Sequence, residues 1–575
     1  MCNIIIKISF SFSLILSQSL FSKQLGVTQP ISLNGPTPED LKLTASLNEA
    51  LKTSGFFESE EDSEKREIVL GKLNLIVQKF VKDIARQKGL PESLISEVGG
   101  KIFTFGSYRL GVHSRGADID TLCVAPQHVD RSDFFTKFYE MLQGVPEVTD
   151  LTQVPDAYVP VVNMVFSGIC IDLVFARLPF ASIPEDLDLL DHNLLKNLDE
   201  KSMLSLNGSR ATDEILRLVP DVLTFHAALR CIKLWAKRRG LYNNAMGYLG
   251  GVACALLTAR ICQLYPNASA SAIITRFFKI YQQWAWPQPV YLKPIEDFPL
   301  NQKVWNPKLY PADRNHRMPV ITPAYPSMCS THNVTKSTLA VMTAEFARGS
   351  EIMLKIEQGL AQWSDLFARS DFFSRYRHFF QILAISESAE EHRVWSGFVE
   401  SKVRILMNKL EMEANIAVAP PFTETFEQVI KVNETETRNF SMEEVISFHF
   451  HDPMGNNTPS SNSNGDKTVY TTAFYIGLGI APFDPNFKGP RRLVLDRPVA
   501  EFKYFVMNWE KHVPSMHLEV RDIKRENLPE YIFNEEMKRP QPRQPATTRK
   551  IKREHSVGAE EAKNVRVKTL EPAKE

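Results

Sequence analysis

Two aspartates two positions apart, Asp118 and Asp120, stand at the head of Ile119-Asp120-Thr121-Leu122-Cys123-Val124, a run whose apolar and β-branched content predicts a strand. Successive side chains of a strand alternate faces, so both carboxylates point one way while Ile119, Thr121 and Cys123 point the other. Carboxylates held that close repel one another unless a cation lies between them, and their hard oxygens suit Mg²⁺ or Mn²⁺. By itself the pattern also fits a solvated strand rim. Two neighbours favour the metal. Gly106-Ser107 follows the β-type run Lys101 to Phe105, at a turn where backbone N–H groups and a hydroxyl can approach a phosphate. Asp172 is the only charged residue from Gly168 to Phe175, and a carboxylate buried there would be costly without a partner. A phosphate cradle facing acids is the layout of nucleotidyl transfer, which needs a third acid because two metal ions require more ligands than one D-x-D supplies.

The rest of the chain sets the frame. Across 575 residues, 67 Lys and Arg balance 67 Asp and Glu, which excludes an overall polycation. The balance is uneven, since Met537 to Glu575 carries eleven basic and five acidic residues, a net +6 that leaves −6 on the remainder. A mildly acidic body confines any nucleic-acid site to a local groove. No apolar run reaches the ~18 residues that a spanning helix requires, so no membrane segment is expected. Seven cysteines with no C-x-x-C pair predict buried thiols, and Cys123 and Cys170 are read so. Met1 to Leu20 has the look of a short signal-peptide core but a weakly basic start, and is read as a disordered or alternative terminus.

Thr37-Pro38-Glu39-Asp40 predicts a capped helix start leading through Leu51. Lys65 to Ala85 predicts a second helix, with Ile68, Val69, Leu73, Ile76, Val77, Phe80, Val81 and Ile84 at helical spacing. Strands are expected over Lys101 to Phe105, Ile119 to Val124, Tyr158 to Phe166 and Ile169 to Phe175. A helical block from about Asp188 to Leu360 includes Val222 to Arg239 and the small-residue helix Gly247 to Leu264. Beyond Ala361, strand-like runs at Val445 to Phe450, Val469 to Ile480, Leu493 to Leu495 and Phe502 to Val506 accompany a helical Arg393 to Leu410. Asp452 to Asp466 reads as a surface loop, and the tail after Met537 has too few large apolar residues for a core.

The segment GSYRLGVHSRGADIDTLCVAP, from Gly106 to Pro126, resembles the nucleotidyltransferase signature of the eukaryotic nuclear poly(A) polymerases. Further segments are similar to that family in the same order, among them LLKNLDEKSMLSLNGSRATDEIL from Leu194, LRCIKLWAKRRGLY from Leu229, GYLGGVACALL from Gly247 and MPVITPAYPSMCSTHNV from Met318. The likeness is strong from Gly26 to Lys409 and loose from there to about Phe533. It implies an α+β, multidomain fold: a nucleotidyltransferase palm at 65–185, a helical central domain at 186–360 on which a helical segment at 26–64 packs, and an RNA-recognition-like αβ C-terminal domain at 361–535. Residues 1–25 and 536–575 flank these as disordered ends.

The resemblance also implies roles. Asp118, Asp120 and Asp172 would hold two ions, Mg²⁺ or Mn²⁺, and catalyse transfer of AMP from ATP to the 3′ end of mRNA precursors with release of pyrophosphate. ATP would be contacted by Phe105, Gly106, Ser107, Ser114, Ile119 between the acids, Asn207, Lys233 and Tyr242 at the triphosphate, and Gly251 and Val252 at the base and sugar. Ser114 stands where vertebrate relatives carry Thr. RNA contacts would fall near Tyr158, Asn163 and Asn333. Cleavage and polyadenylation factors are the implied partners of a monomeric catalytic unit.

Alternatives stand beside these expectations. A uridylyltransferase or CCA-adding enzyme would share the signature, and a non-catalytic RNA-binding shell would too, although three intact acids argue against it. Lys237, Arg238 and Arg239 suit either a solvated helix end set against the macrodipole or an RNA-backbone contact. His113 reads as a loop residue, Tyr108 and Arg109 as positioning the turn, and Trp235, Trp284 and Trp286 as packing. The third domain shows no aromatic RNP-type motif. Lys538-Arg539 and Arg549 to Arg553 resemble a bipartite nuclear-import signal. Glycosylation sequons at Asn207 and Asn333 fall among the implied substrate contacts, so the nucleus is expected over the secretory pathway.

Overall fold

The computed structural model describes residues 25–300, 302–432, 467–481 and 493–533. The expectations for Met1 to Leu20, Val445 to Phe450, Asp452 to Asp466 and the basic tail lie outside these residues. Helix α1 (Pro38–Thr53) opens on a capping box between Thr37 and Asp40, with Pro at its first turn. Its buried Leu47 and Leu51 join the core that holds Phe225 and Leu229. Helix α2 (Glu60–Gln87) begins five residues before the expected start, because Ser59 caps it and three acids fill its first turn. Val69, Leu73, Val77, Phe80, Val81 and Ile84 are buried, but Ile68 falls off the stripe and is exposed.

Five strands follow: β1 (Lys101–Thr104), β2 (Ile119–Ala125), β3 (Val148–Val154), β4 (Val161–Phe166) and β5 (Ile169–Arg177). They form one sheet in the order β1-β2-β5-β4-β3, in which β2 and β5 run parallel and the other pairs antiparallel. Ile119, Cys123, Ile171, Leu173 and Phe175 fill the core against α2. Leu122, Val124, Val174 and Ala176, on the opposite face, pack with Met203 and Leu206 of α3 (Glu200–Leu218). Asp120 and Asp172 belong to this second face. Strand β3 escapes a reading by pattern, since Thr149, Asp150 and Gln153 face solvent at the sheet edge. Tyr158 lies in the loop before β4 rather than in the strand.

The helical block contains α4 (Val222–Arg238), α5 (Gly251–Leu264), α6 (Ala270–Tyr281) and α7 (Lys336–Glu357). Trp235 is fully buried and stacks on Phe346, and Trp284 and Trp286 pack against the same core.

The last region comprises β6 (His378–Ser386), α8 (Ala389–Leu410), β7 (Ile416–Val418), β8 (Phe426–Val432), β9 (Lys467–Ile480), α9 (Asp496–Met507) and β10 (His517–Lys524). Its sheet runs β10-β6-β9-β7, with β8 also pairing β9. Two expectations fail here. Leu493 to Leu495 is not a strand, and Phe502 to Val506 lies within α9. Phe502 and Val506 are buried four residues apart while Tyr504 and Phe505 between them are exposed, a helical period that a short apolar run conceals. One apolar cluster joins α1, the helical block and Trp395, Phe474 and Leu518 of this region, so the boundary near 361 is not a break in the core.

Candidate active site

Asp120 and Asp172 are register partners on the parallel pair β2–β5. Together with Asp118 they offer carboxylate oxygens that all lie within 4.8 Å of one another. Among the described residues this is the only such group of potential metal ligands. Asp120 is pushed up to about 7, first by burial and then by the charges of Asp118 and Asp172, with Lys233 opposing. Asp172 is also raised, by burial and by Asp118, against the hydrogen bond that Asn163 donates. Acids driven toward protonation by burial and by one another's charge have an unmet demand for positive charge, and a divalent ion with oxygen ligands fits it.

The turn after β1 closes one side. Gly106 adopts a left-handed φ of 62°, and a Cβ there would overlap Asp120 Oδ2, so only glycine lets the backbone lie against this carboxylate. The turn is held from two directions. The Phe105 N–H donates to the Asp120 carbonyl at 3.0 Å, and the Gly106 N–H donates to Thr212 Oγ1 of α3 at 3.2 Å. The Phe105 ring lies against Gly208, where no side chain would fit, next to Asn207 on α3. Arg109 donates to Asp213 at 2.8 Å and pins the turn to the same helix.

Helix α4 closes the other side. Arg230 donates to the Gly111 carbonyl at 2.5 Å and Lys233 Nζ to the Val112 carbonyl at 3.0 Å. Burial and the neighbouring Lys237 bring Lys233 down to about 8, against the pull of Asp118 and Asp120. The same two acids, after burial, raise the Tyr242 phenol. Gly251, at the start of α5, lies against the Tyr242 hydroxyl, and Val252 beside it is exposed. Phe105, Gly106, Lys233, Tyr242, Gly251 and the three acids therefore converge. The Ser107 and Ser114 carbonyls accept N–H groups of Val112 and Ala117, which folds the loop that carries Asp118.

Of the three residues expected near RNA, Tyr158 is exposed on the palm rim above Lys201. Asn333 donates to the Asn244 carbonyl at 3.0 Å, and Asn244 packs on Gly250. Asn163 bonds directly to Asp172. His113 binds Glu58 at 2.7 Å and is a structural loop residue. Two expectations need correction. Cys170 is exposed, because it shares the cleft-facing side of β5 with Asp172 while Ile169 and Ile171 fill the core. Arg239 neither ends a solvated helix nor faces RNA, for it is buried in a two-pronged bond to Glu345 with both distances 2.9 Å. Thr212, Arg230 and Gly208 were not singled out from sequence; their roles depend on helices distant in the chain, and only the quoted similarity of their segments marked them.

A cavity of about 920 Å³ lies behind β1, between Asn74, Lys101, Asp213 and Arg217, and does not include the acids. The acids lie outside it, Asp118 exposed and Asp120 and Asp172 half-buried.

Three family models match consecutive parts of the chain: the poly(A) polymerase nucleotidyltransferase domain at residues 26–219, the poly(A) polymerase central domain at 224–369 and the poly(A) polymerase predicted RNA binding domain at 371–542. The poly(A) polymerase PAPalpha of Candida albicans is 46% identical over 523 residues, covering 90% of this chain and 94% of that protein. The poly(A) polymerase pla1 of Schizosaccharomyces pombe is 44% identical over 571 residues, covering 95% and 100%. A solved structure of Cid1, described with RNA terminal uridylyl transferase activity, aligns with 58% of this chain and 99% of its own at 14% identity and a TM-score of 0.39.

Proposed function

The chain belongs to the poly(A) polymerase family, and from that premise we propose that it extends the 3′ end of RNA with AMP drawn from ATP in the cleft floored by Asp118, Asp120 and Asp172. The observation that carries this reading is the meeting of three mutually repelling carboxylates with a glycine turn and a buried lysine. The two ions these acids would hold, Mg²⁺ or Mn²⁺, supply charge neutralisation at the transferring phosphate and favour ionisation of the attacking hydroxyl.

What the chain itself contributes is position and electrostatics. The β2–β5 register fixes Asp120 across from Asp172. Lys233, brought down to about 8 by burial and Lys237, is a point charge suited to a triphosphate, and an anion bound beside it favours its protonated form. Tyr242, raised by burial, stays a neutral phenol able to donate a hydrogen bond. In-line attack of the RNA 3′ hydroxyl on the α-phosphorus forms the new ester bond, breaks the bond to pyrophosphate and releases the hydroxyl proton to solvent. Primer extension on oligo(A) with each of the four nucleotides tests the reading. Preferential use of ATP is expected, and preferential use of UTP would overturn it.

The same reading gives Tyr158 and Asn333 contacts with RNA, and cleavage and polyadenylation factors as partners in the nucleus. Two observations support the nuclear location. Basic clusters at Lys538-Arg539 and Arg549 to Arg553 suit nuclear import, and Asn333, the acceptor of one sequon, has its amide engaged by Asn244. No helix among the described residues is long and apolar enough to cross a membrane. A fluorescent fusion found in the secretory pathway would sink the nuclear assignment.

A further inference from the structure

Asn163 stands directly across from Asp172 in the β4–β5 register, and its Nδ2 donates to Asp172 Oδ1 at 2.6 Å. The orientation of the amide is dictated chemically, because an ionised carboxylate only accepts and the amide nitrogen is the donor end. The side chain lies on the cleft face of the sheet, half-buried, beside the acids. Of the side-chain groups around Asp172, it is the one that holds the carboxylate, while Thr121 Oγ1 bonds the Asp172 backbone carbonyl at 3.0 Å.

We propose that Asn163 is a positioning residue for the ion that Asp118, Asp120 and Asp172 share. The inference rests on reading those acids as the metal site. The amide takes one oxygen of Asp172 and fixes the plane of the carboxylate, which leaves the second oxygen as the ligand. A neutral donor suits this position. Lysine would bring a charge that competes with the ion, and a fourth carboxylate would add repulsion to three whose oxygens already lie within 4.8 Å of one another. Partners of this kind orient metal ligands, and their loss weakens metal affinity by about 10-fold or more. An RNA contact, the role implied by family resemblance, would act on the primer and leave the ion untouched.

The test measures Mn²⁺ binding to the full chain by electron paramagnetic resonance, without ATP or RNA, alongside primer affinity. Asn163→Ala is expected to weaken Mn²⁺ binding by about 10-fold with primer affinity unchanged, and Asn163→Gln, which keeps an amide donor, to recover part of the loss. Thr152→Val, a change at the register partner of Asn163 on β3, controls for disturbance of the sheet and should leave Mn²⁺ binding at the wild-type level. Unchanged Mn²⁺ affinity with weakened primer binding in Asn163→Ala would overturn the proposal and return Asn163 to RNA. Equal loss in Thr152→Val would overturn it as well, since sheet distortion would then explain the effect. If Asp172→Ala binds Mn²⁺ like wild type, the metal reading itself falls, and the inference with it.

Discussion

The palm and the C-terminal region each place polar side chains on a five-stranded sheet, and they treat them in opposite ways. On the C-terminal sheet, Gln381 Nε2 donates to the hydroxyls of Tyr475 and Tyr531 at 2.6 and 2.9 Å, those hydroxyls lie 2.7 Å apart, and Arg521 donates to Gln381 Oε1 at 2.6 Å. Nearby, His392 bonds Ser386 at 2.9 Å and Thr472 at 2.7 Å. Each group answers another. On the palm sheet, Asp118, Asp120 and Asp172 face like charge, with the hydrogen bond of Asn163 to Asp172 and the opposing charge of Lys233 set against it. A closed polar network specifies a fold, whereas an open cluster of one sign is complete only with something from outside. The same contrast recurs between the palm and the helical segment beside it. Glu58, although buried, is held below the usual glutamate range because His113, Arg66 and Ser63 outweigh the burial, while Asp120 is raised.

The comparison breaks most readily at Asp120. Asp120→Ala removes a ligand worth several kcal/mol of transition-state stabilisation, so single-turnover extension should fall on the order of 1,000-fold. Because the carboxylate is repelled where it stands, the melting temperature in chelator should hold or rise. A variant that both unfolds and loses activity would place Asp120 with the structural networks instead.

Gln381→Leu should do the reverse. It leaves Tyr475, Tyr531 and Arg521 short of a common partner in the C-terminal core and should reduce stability by about 1–3 kcal/mol in urea unfolding. Turnover per folded molecule should stay at the wild-type level. A loss of turnover with stability intact would show that this network also serves the site.

The smallest effect concerns pH. Glu58 has a folded pKa below its unfolded one, so its stabilisation is present above the ordinary glutamate pKa and is lost as pH falls through the depressed folded value. Denaturant melts across acid pH should therefore show wild type converging on Glu58→Gln as pH drops. A constant gap between the two would mean that packing, rather than charge, carries the contribution of Glu58.

The legible parts of the molecule were those with strong local signals. Thr37 to Asp40 announced a capped helix, and Val69 to Ile84 showed its stripe. Strand β3 escaped because its polar residues face solvent at an edge, and β6, buried on both faces with Gln381 among its apolar residues, has no alternation to separate it from a helix. Helix α9 was mistaken for a strand because five residues are too few to distinguish the two periods. At the site, the acids and the glycine turn could be named from their spacing. The engagement of Arg239 with Glu345, the exposure of Cys170 and the pinning of Gly106 by Thr212 could not, since each depends on a partner or a face supplied by packing.

What the sequence determined by itself was a shared strand face for Asp118 and Asp120 and the cost of burying Asp172, because side-chain alternation and charge are local properties of the chain. What only the tertiary structure decided was that Asp172 stands opposite Asp120, that Asn163 holds it, and that Lys233 and Tyr242 feel the same charges. Strand order and helix docking settle those placements, and they follow from the burial of Ile119, Ile171, Phe225 and Trp235 rather than from the residues that carry the chemistry.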